Sequence, residues 1–440
     1  MQVFLFDEFK PETAAMLQAL YSRSAESVQE HVKRVREKGS DKFMASYYVG
    51  YGHASIGDCG VTTLYIEDVS LLACKAIQDN PLYSGQETST RYIDFSKQRT
   101  VDPIGSTKSE ALQRRWIDFY CESSAAVIEY LKTRFPMPSD GKEKVWEKAI
   151  AARGFDVLRG FLPAGVTSQL AWTTNLRQAH EQLLRLESHP LSEVRTIAEE
   201  CRTILVRQYP SSFGHNVGDL ERDYLRRVAA TETYIAPGSI RVRPSQFHVA
   251  TNIDNARLES EVLDLLQSRP RKAQLPKSLA RYGHYWCRFT LDFGSFRDLQ
   301  RHRGGLCRMP LLTSELDFHE WYFDQLPNTI RSKAQSFVSQ QLAELAELSS
   351  TSLSREEKQY YLPIGMNVAC EIMYDLPEMV YVAELRSGQT VHPTLRWIAQ
   401  QMGITLRERH PKLALYADMS ESNFSIRRGN HDIIERPTAA

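Results

Sequence analysis

Apolar and polar positions alternate from Val61 to Val69, so that stretch reads as a half-buried strand, and Ser70 is placed to cap a helix continuing to about Asp79. Gln2 to Phe6 reads as a short strand. Pro11 to Lys38 follows the helical period, with Ser24-Ala25-Glu26-Ser27 as a start signal. Residues 108–150 are helical, with Trp116, Phe119 and Tyr120 on the buried side. A further helix carries Leu183-Leu184-Arg185 and ends near Ser188-His189-Pro190; another begins at Ser192-Glu193 and reaches Tyr209-Pro210. Residues 211–245 mix glycine, proline and charge, including Ile235-Ala236-Pro237-Gly238, and read as a connection. Beyond it come a helix over Leu258 to Leu266, a Gly283-His284 pair and a strand from Arg288 to Phe293. A helix starting at Ser295 then carries Arg301-His302-Arg303.

The second half repeats the first. Tyr360-Tyr361-Leu362-Pro363-Ile364-Gly365 mirrors Gly160-Phe161-Leu162-Pro163-Ala164-Gly165; Leu385-Arg386 mirrors Leu184-Arg185, and His392-Pro393 mirrors His189-Pro190. Self-similarity at this spacing points to a tandem repeat of one domain of about 200 residues. The expected domains are 1–235 and 236–440.

Composition narrows the classes. The 440 residues exceed one ordinary domain, and 42% hydrophobic content supports sizeable cores. Lys+Arg and Asp+Glu are equal at 54 each, so no overall basic field favours nucleic acid or a membrane surface. Seven scattered cysteines without a C-x-x-C argue against a disulfide framework or a metal site. The first residues lack a signal-peptide pattern, and no segment approaches the roughly 20 apolar residues of a membrane span. A cytoplasmic protein is expected.

The densest chemistry lies in Leu82-Tyr83-Ser84-Gly85-Gln86-Glu87-Thr88-Ser89-Thr90-Arg91-Tyr92. Hydroxyls, an amide, a carboxylate and a guanidinium in one run suit an anion such as phosphate. On spacing alone the run also reads as a polar turn ending in a surface arginine. With Asp79-Asn80-Pro81 before it, the run resembles the signature R-H-R-x-x-S-x-x-E-x-S-x-R-Y of the flavin-dependent thymidylate synthases, the ThyX family. Ser84, Glu87, Ser89, Arg91 and Tyr92 fall in register, whereas the leading R-H-R is absent there and stands far downstream as Arg301-His302-Arg303. Upstream, His53, Ser55 and Asp58 fit the family's H-x-[ST]-x-x-E-H approximately, with Cys59 at its second histidine. Downstream, Arg159, Asn175, Arg177 and Arg185 follow in the family's order.

The resemblance implies an α+β fold of two tandem domains, each a mixed sheet flanked by long helices. It implies FAD as cofactor, NADPH as reductant and methylenetetrahydrofolate as donor of one carbon to C5 of dUMP or a related uracil nucleotide. By the same resemblance Ser84, Glu87, Ser89, Arg91, Arg159 and Arg185 face the nucleotide, with Arg185 and Arg91 the catalytic pair. His53, Ser55, Asn175, Arg177, Arg301, His302 and Arg303 face the flavin, and no metal is involved. A homodimer of tandem chains would imitate the family's tetramer. Two alternatives stay open: C5 modification of another pyrimidine nucleotide, and a non-catalytic nucleotide- or flavin-binding paralogue.

Overall fold

The computed structural model describes residues 9–22, 24, 26–38, 54–139, 142–213, 218–239, 246–348 and 353–430. The expected strand over Gln2 to Phe6 and the candidate His53 lie outside these residues. Two compact units form: one gathers residues 1–69, 73–88 and 168–233, the other 70–72, 89–167 and 234–440. The units therefore cut across the sequence repeat, because the long helices of residues 107–158 pack with the second repeat.

In the first unit, helices α1 (Pro11–Tyr21) and α2 (Val28–Lys38) precede β1 (Val61–Ser70), α3 (Leu71–Gln78) and β2 (Ser84–Glu87). They are joined by β3 (Thr167–Asn175), α4 (Leu176–Leu186) and α5 (Ser192–Gln208). The sheet order is β1-β3-β2. Leu64 and Ile66 of β1 are buried while Thr63 and Tyr65 face out, as alternation requires. The polar run starts as an edge strand rather than a turn, with Ser84 opposite Thr173 and Glu87 opposite Leu170. Gly85 permits this pairing: a Cβ there would lie 1.9 Å from the Ala171 carbonyl oxygen. The expected connection over 211–245 contains a helix, α6 (Asp219–Glu232). Only its Ala229 is buried, so it carries no apolar period to read.

The second unit holds helices α7 (Thr107–Arg134) and α8 (Glu143–Leu158), then β4 (Phe247–Thr251), β5 (His284–Asp292), α9 (Phe293–Leu299) and β6 (Leu306–Cys307). It closes with β7 (Asn367–Asp375), α10 (Leu376–Arg386) and α11 (Pro393–Arg409). Its sheet runs β4-β5-β7-β6, and β5 pairs antiparallel with β7 over their whole length, His284 opposite Asp375 and Asp292 opposite Asn367. Tyr285, Cys287 and Phe289 of β5 and Val368, Cys370 and Ile372 of β7 are fully buried, as are Met379, Val382 and Met402 of the helices that pack on this sheet.

The halves repeat element by element. β3 and β7 each have 9 residues, the helices that follow have 11 each, and the offset is 200 residues over this strand and helix. Asn175 and Asp375 cap those helices through the same atoms' geometry, accepting from Gln178 N and Glu378 N. This register corrects the apparent match of Leu184-Arg185 to Leu385-Arg386. Arg386 stands opposite Leu186, and Arg185 opposite Leu385; one residue turns a side chain by about 100° around a helix. A second correction concerns Arg301-His302-Arg303, which lies in the turn after α9 rather than on a helix. The chain must reverse there, through Gly304 and Gly305, to pair Leu306 with Met373 of β7.

Within the second unit the two mirrored turns bind each other. Ala164 N donates to Leu362 O at 2.8 Å and Ile364 N to Leu162 O at 2.8 Å; Gly165 N donates to Tyr360 O at 2.9 Å and Gly365 N to Gly160 O at 2.8 Å. A Cβ on Gly365 would meet the Phe318 ring at 2.6 Å and Gly160 O at 2.7 Å. Gly365→Ala should therefore cost about 1–3 kcal/mol in urea unfolding. Gly388→Ala, where no atom lies within 4 Å of the added carbon, should be near neutral; equal effects would refute the packing argument.

Candidate functional site

Beside the β7–α10 junction, the second unit opens a cavity of about 500 Å³. One wall is the turn Arg301-His302-Arg303-Gly304, and Lys277 enters from a short helical turn over Lys277–Tyr282. The opposite wall is one face of α10, carrying Glu378, Tyr381, Leu385 and Arg386. Four cationic side chains thus converge on one lining carboxylate.

Arg386, Lys277 and Arg301 are each anchored, two of them at Asp298. Arg386 donates through Nε to His302 Nε2 at 2.8 Å and through Nη2 to Asp298 O at 3.0 Å. His302 accepts that bond, so it is neutral with its proton on Nδ1; burial and the Arg386 charge push its pKa down to about 3. Lys277 bridges Asp375 Oδ2 at 2.6 Å and Gly304 O at 2.8 Å, tying the cationic turn to the cap of α10. Arg301 stands 4.0 Å from Asp298 and stays half-exposed.

Behind the cavity lies a buried polar network. Asp292 accepts from Ser295 N at 2.8 Å, Tyr322 Oη at 2.7 Å and Thr394 Oγ1 at 2.5 Å. Ser295 Oγ in turn accepts from Arg159 Nη2 at 2.9 Å. Arg159 also lies 3.7 Å from Asp298, so an arginine of the first repeat and Arg301 of the second share one carboxylate. His392 donates from Nε2 to Asp156 O at 3.3 Å, and burial together with Arg159 pushes its pKa down to about 3. Burial alone would raise the Asp156 carboxyl; the Arg428 and Arg91 guanidiniums outweigh it and hold Asp156 well below the usual carboxylate range. Arg428 pairs with it closely, and Arg91 reaches it at 3.4 Å from the surface.

Among the sequence candidates, Ser89, Arg91, Arg159, Arg301, His302 and Arg303 belong to this unit. Ser89 accepts from Arg91 N and starts the helical turn that presents Arg91. In the first unit the Glu87 carboxylate, its side chain buried, is sealed on buried Lys75 at 2.7 Å and buried Gln78 at 2.8 Å. Arg177 pairs with Asp58 at 2.7 Å, and Arg185 with both Oδ2 and O of Asp79 at 2.7 and 2.8 Å. Ser84 is exposed on the edge strand, and Ser55 lies in the turn Ala54–Cys59. Sequence reasoning missed Lys277, Glu378 and Arg386; the 200-residue offset would have exposed Arg386, because it breaks the apolar pattern set by Leu186.

Among the described residues no cluster of His, Cys, Asp and Glu has a metal-holding arrangement, and no helix is long and apolar enough to cross a membrane. Fold and site together define a repeated α+β protein with a cleft lined by four cationic side chains. Residues 5–211 match the family model described as "Thymidylate synthase complementing protein". Across both halves the chain is similar to a "UPF0159 protein" of Chlamydia muridarum, 25% identical over 435 residues, covering 85% of this chain and 80% of the relative. A UPF0159 protein of Chlamydia pneumoniae is 24% identical over 447 residues, with 88% and 82% covered. One of Thermoplasma acidophilum is 23% identical over 480 residues, with 90% and 93% covered.

The buried histidines make a pH prediction. His302 and His392 are depressed to about 3 and His410 to about 4 by burial. Between those values and the unfolded pKa near 6.5, the unfolded chain binds more protons, so stability is full above about pH 6.5 and falls as pH drops. Each histidine contributes a slope of about 1.4 kcal/mol per pH unit. Urea unfolding at pH 7, 6 and 5 should show this decline; a flat profile would contradict it.

Proposed function

We propose that this protein is a flavin-dependent thymidylate synthase-type enzyme, acting on C5 of dUMP or a related uracil nucleotide. Methylenetetrahydrofolate is the one-carbon donor and NADPH the reductant. Bound FAD would supply the reducing equivalents that convert the transferred carbon to a methyl group. The observation that carries this reading is the meeting of Arg159 and Arg301 on Asp298, which joins family positions split between the repeats. The cleft fits a phosphate-bearing cofactor: Lys277, Arg301, Arg303 and Arg386 outnumber its one lining carboxylate.

In this reading Arg301, His302, Arg303, Asn175, Arg177, His53 and Ser55 serve the flavin. Ser84, Ser89, Arg91 and Arg159 serve the nucleotide, and Arg185 polarises the uracil ring by its charge. Glu87, sealed on Lys75, positions the segment that carries Ser89 and Arg91. Arg386 holds His302 and faces the same cleft, so it joins the flavin set. The protein works in the cytoplasm as a homodimer, the commonest closed assembly. One observation favours a second reading, a non-catalytic flavin- or nucleotide-binding protein: the Glu87 carboxylate of the polar run is buried in an ion pair with Lys75.

The test is spectroscopic and kinetic. Purified protein should be yellow or take up added FAD, dUMP should perturb the flavin spectrum, and dTMP should form. Flavin binding without turnover would leave the second reading, and no flavin binding would refute the first. Arg303→Ala should weaken flavin binding by roughly 10-fold or more, at about 1.5–3 kcal/mol per charge-assisted bond. Arg91→Ala should instead raise the nucleotide concentration needed for half-saturation. If Arg303→Ala leaves flavin binding and turnover intact, the second repeat contributes no chemistry.

A further inference from the structure

Glu378 is the feature of the cleft that anion binding does not explain. It sits at the third position of α10, three residues after the Asp375 cap, where a glutamate ordinarily folds back onto the cap's own N–H. Here it reaches across the cleft instead, its carboxylate accepting from the Gly304 backbone. The approach depends on glycine, since a Cβ on residue 304 would fall 2.0 Å from Glu378 Oε2. Lys277 is engaged by Asp375, Arg386 by His302 and Asp298, and among the described residues Glu378 makes no ion pair. A lone carboxylate amid four cations weakens the binding of any anion beside it, and it serves a ligand only by accepting from a neutral donor. Along α10, Glu378, Tyr381 and Leu385 form one stripe, with Tyr381 and Leu385 exposed at 39% and 47%. An exposed apolar and aromatic surface therefore continues along α10 from the carboxylate, with the Tyr381 ring edge-on to His302 at 5.8 Å.

We infer that Glu378 makes this cleft specific for a nucleoside diphosphate group with free ribose hydroxyls, and that it rejects one with a phosphate on the ribose 2′ position. The diphosphate lies on Arg301, Arg303 and Lys277, a ribose hydroxyl donates to Glu378, and the base rests on Tyr381 and Leu385. The inference rests on the proposed phosphate-binding role of the cleft. It assigns to that cleft the ADP half of a dinucleotide such as FAD and excludes the 2′-phosphorylated half of NADPH.

Two probes separate these possibilities by calorimetric titration of the full chain: ADP, and adenosine 2′,5′-bisphosphate, which moves one phosphate to the ribose. Wild type should prefer ADP by about tenfold or more, because a like charge beside Glu378 is costly. Glu378→Gln keeps the shape and the Gly304 contact, and it should narrow the preference to within about threefold. Should that variant fold poorly, the pH dependence of wild type gives the same answer. Burial raises the Glu378 pKa, with Lys277 opposing and Asp375 adding to the rise. Around it stand Lys277, Asp375, Arg301, His302, Arg303, Tyr381 and Arg386. Adenosine 2′,5′-bisphosphate carries two secondary phosphates and ADP one, each with a pKa near 6, so the titration of each free probe is measured separately and subtracted from the ratio of affinities. The preference should be full above the Glu378 pKa and shrink as pH falls through it. Equal affinity for the two probes in wild type, or an undiminished preference in Glu378→Gln, overturns the inference. If neither probe binds, and Arg303→Ala changes nothing, the cleft itself has been misread.

Discussion

The mutual clasp of two like turns, Gly160–Gly165 and Tyr360–Gly365, is the constraint from which the rest of the second unit follows. Four backbone hydrogen bonds of 2.8–2.9 Å close it, and each half donates two. Backbone groups buried in a turn have no alternative partner in a dry interior, so the clasp is costly to open. It fixes the end of α8 against the start of α9, and Arg159, one residue before the first turn, is thereby delivered to Ser295 and Asp298. Without that delivery, Arg159 would be a charge without a compensating carboxylate.

From Arg159 the polar network spreads outward in both directions. Toward the cleft it meets Asp298, which is shared with Arg301 and whose backbone holds Arg386. Toward the other side it passes through Ser295 and His392 to Asp156, where Arg428 and Arg91 end it. Asp156 and Asp292 are buried and Asp298 is about a third exposed, and at each of them desolvation is opposed by neighbouring groups. Arginines hold Asp156 and Asp298 below the usual carboxylate range, and His392 followed by Arg159 does so at Asp292. The first copy lacks R-H-R and the second lacks the serine-rich run.

Much of this was legible in the residues. The alternation in β1, the helix from Ser70 and the repeat of the Leu-Pro turns all have strong local signatures. Helix α6 was not legible, because only Ala229 is buried and a solvated helix leaves no apolar stripe. The position of Arg301-His302-Arg303 was misjudged because sheet pairing at Leu306, a long-range contact, ends α9 early. Arg185 and Arg386 look equivalent by their Leu-Arg dipeptides, yet helical register separates them. Arg185 turns to Asp79 at the surface, and Arg386 turns inward to His302. Asp292 and Asp156 gave no signal at all, since an isolated aspartate reveals its burial only in the folded state.

The claim at the centre of this account is that Arg159 and the cleft act as one system through Asp298. A double-mutant cycle on FAD affinity tests it most directly, using Arg159→Leu, Asp298→Asn and the pair together. Groups in one buried network couple by about 0.5–3 kcal/mol, and the account predicts a coupling in that range. Additive effects within about 0.3–0.5 kcal/mol would mean that the two residues act independently, and would contradict it.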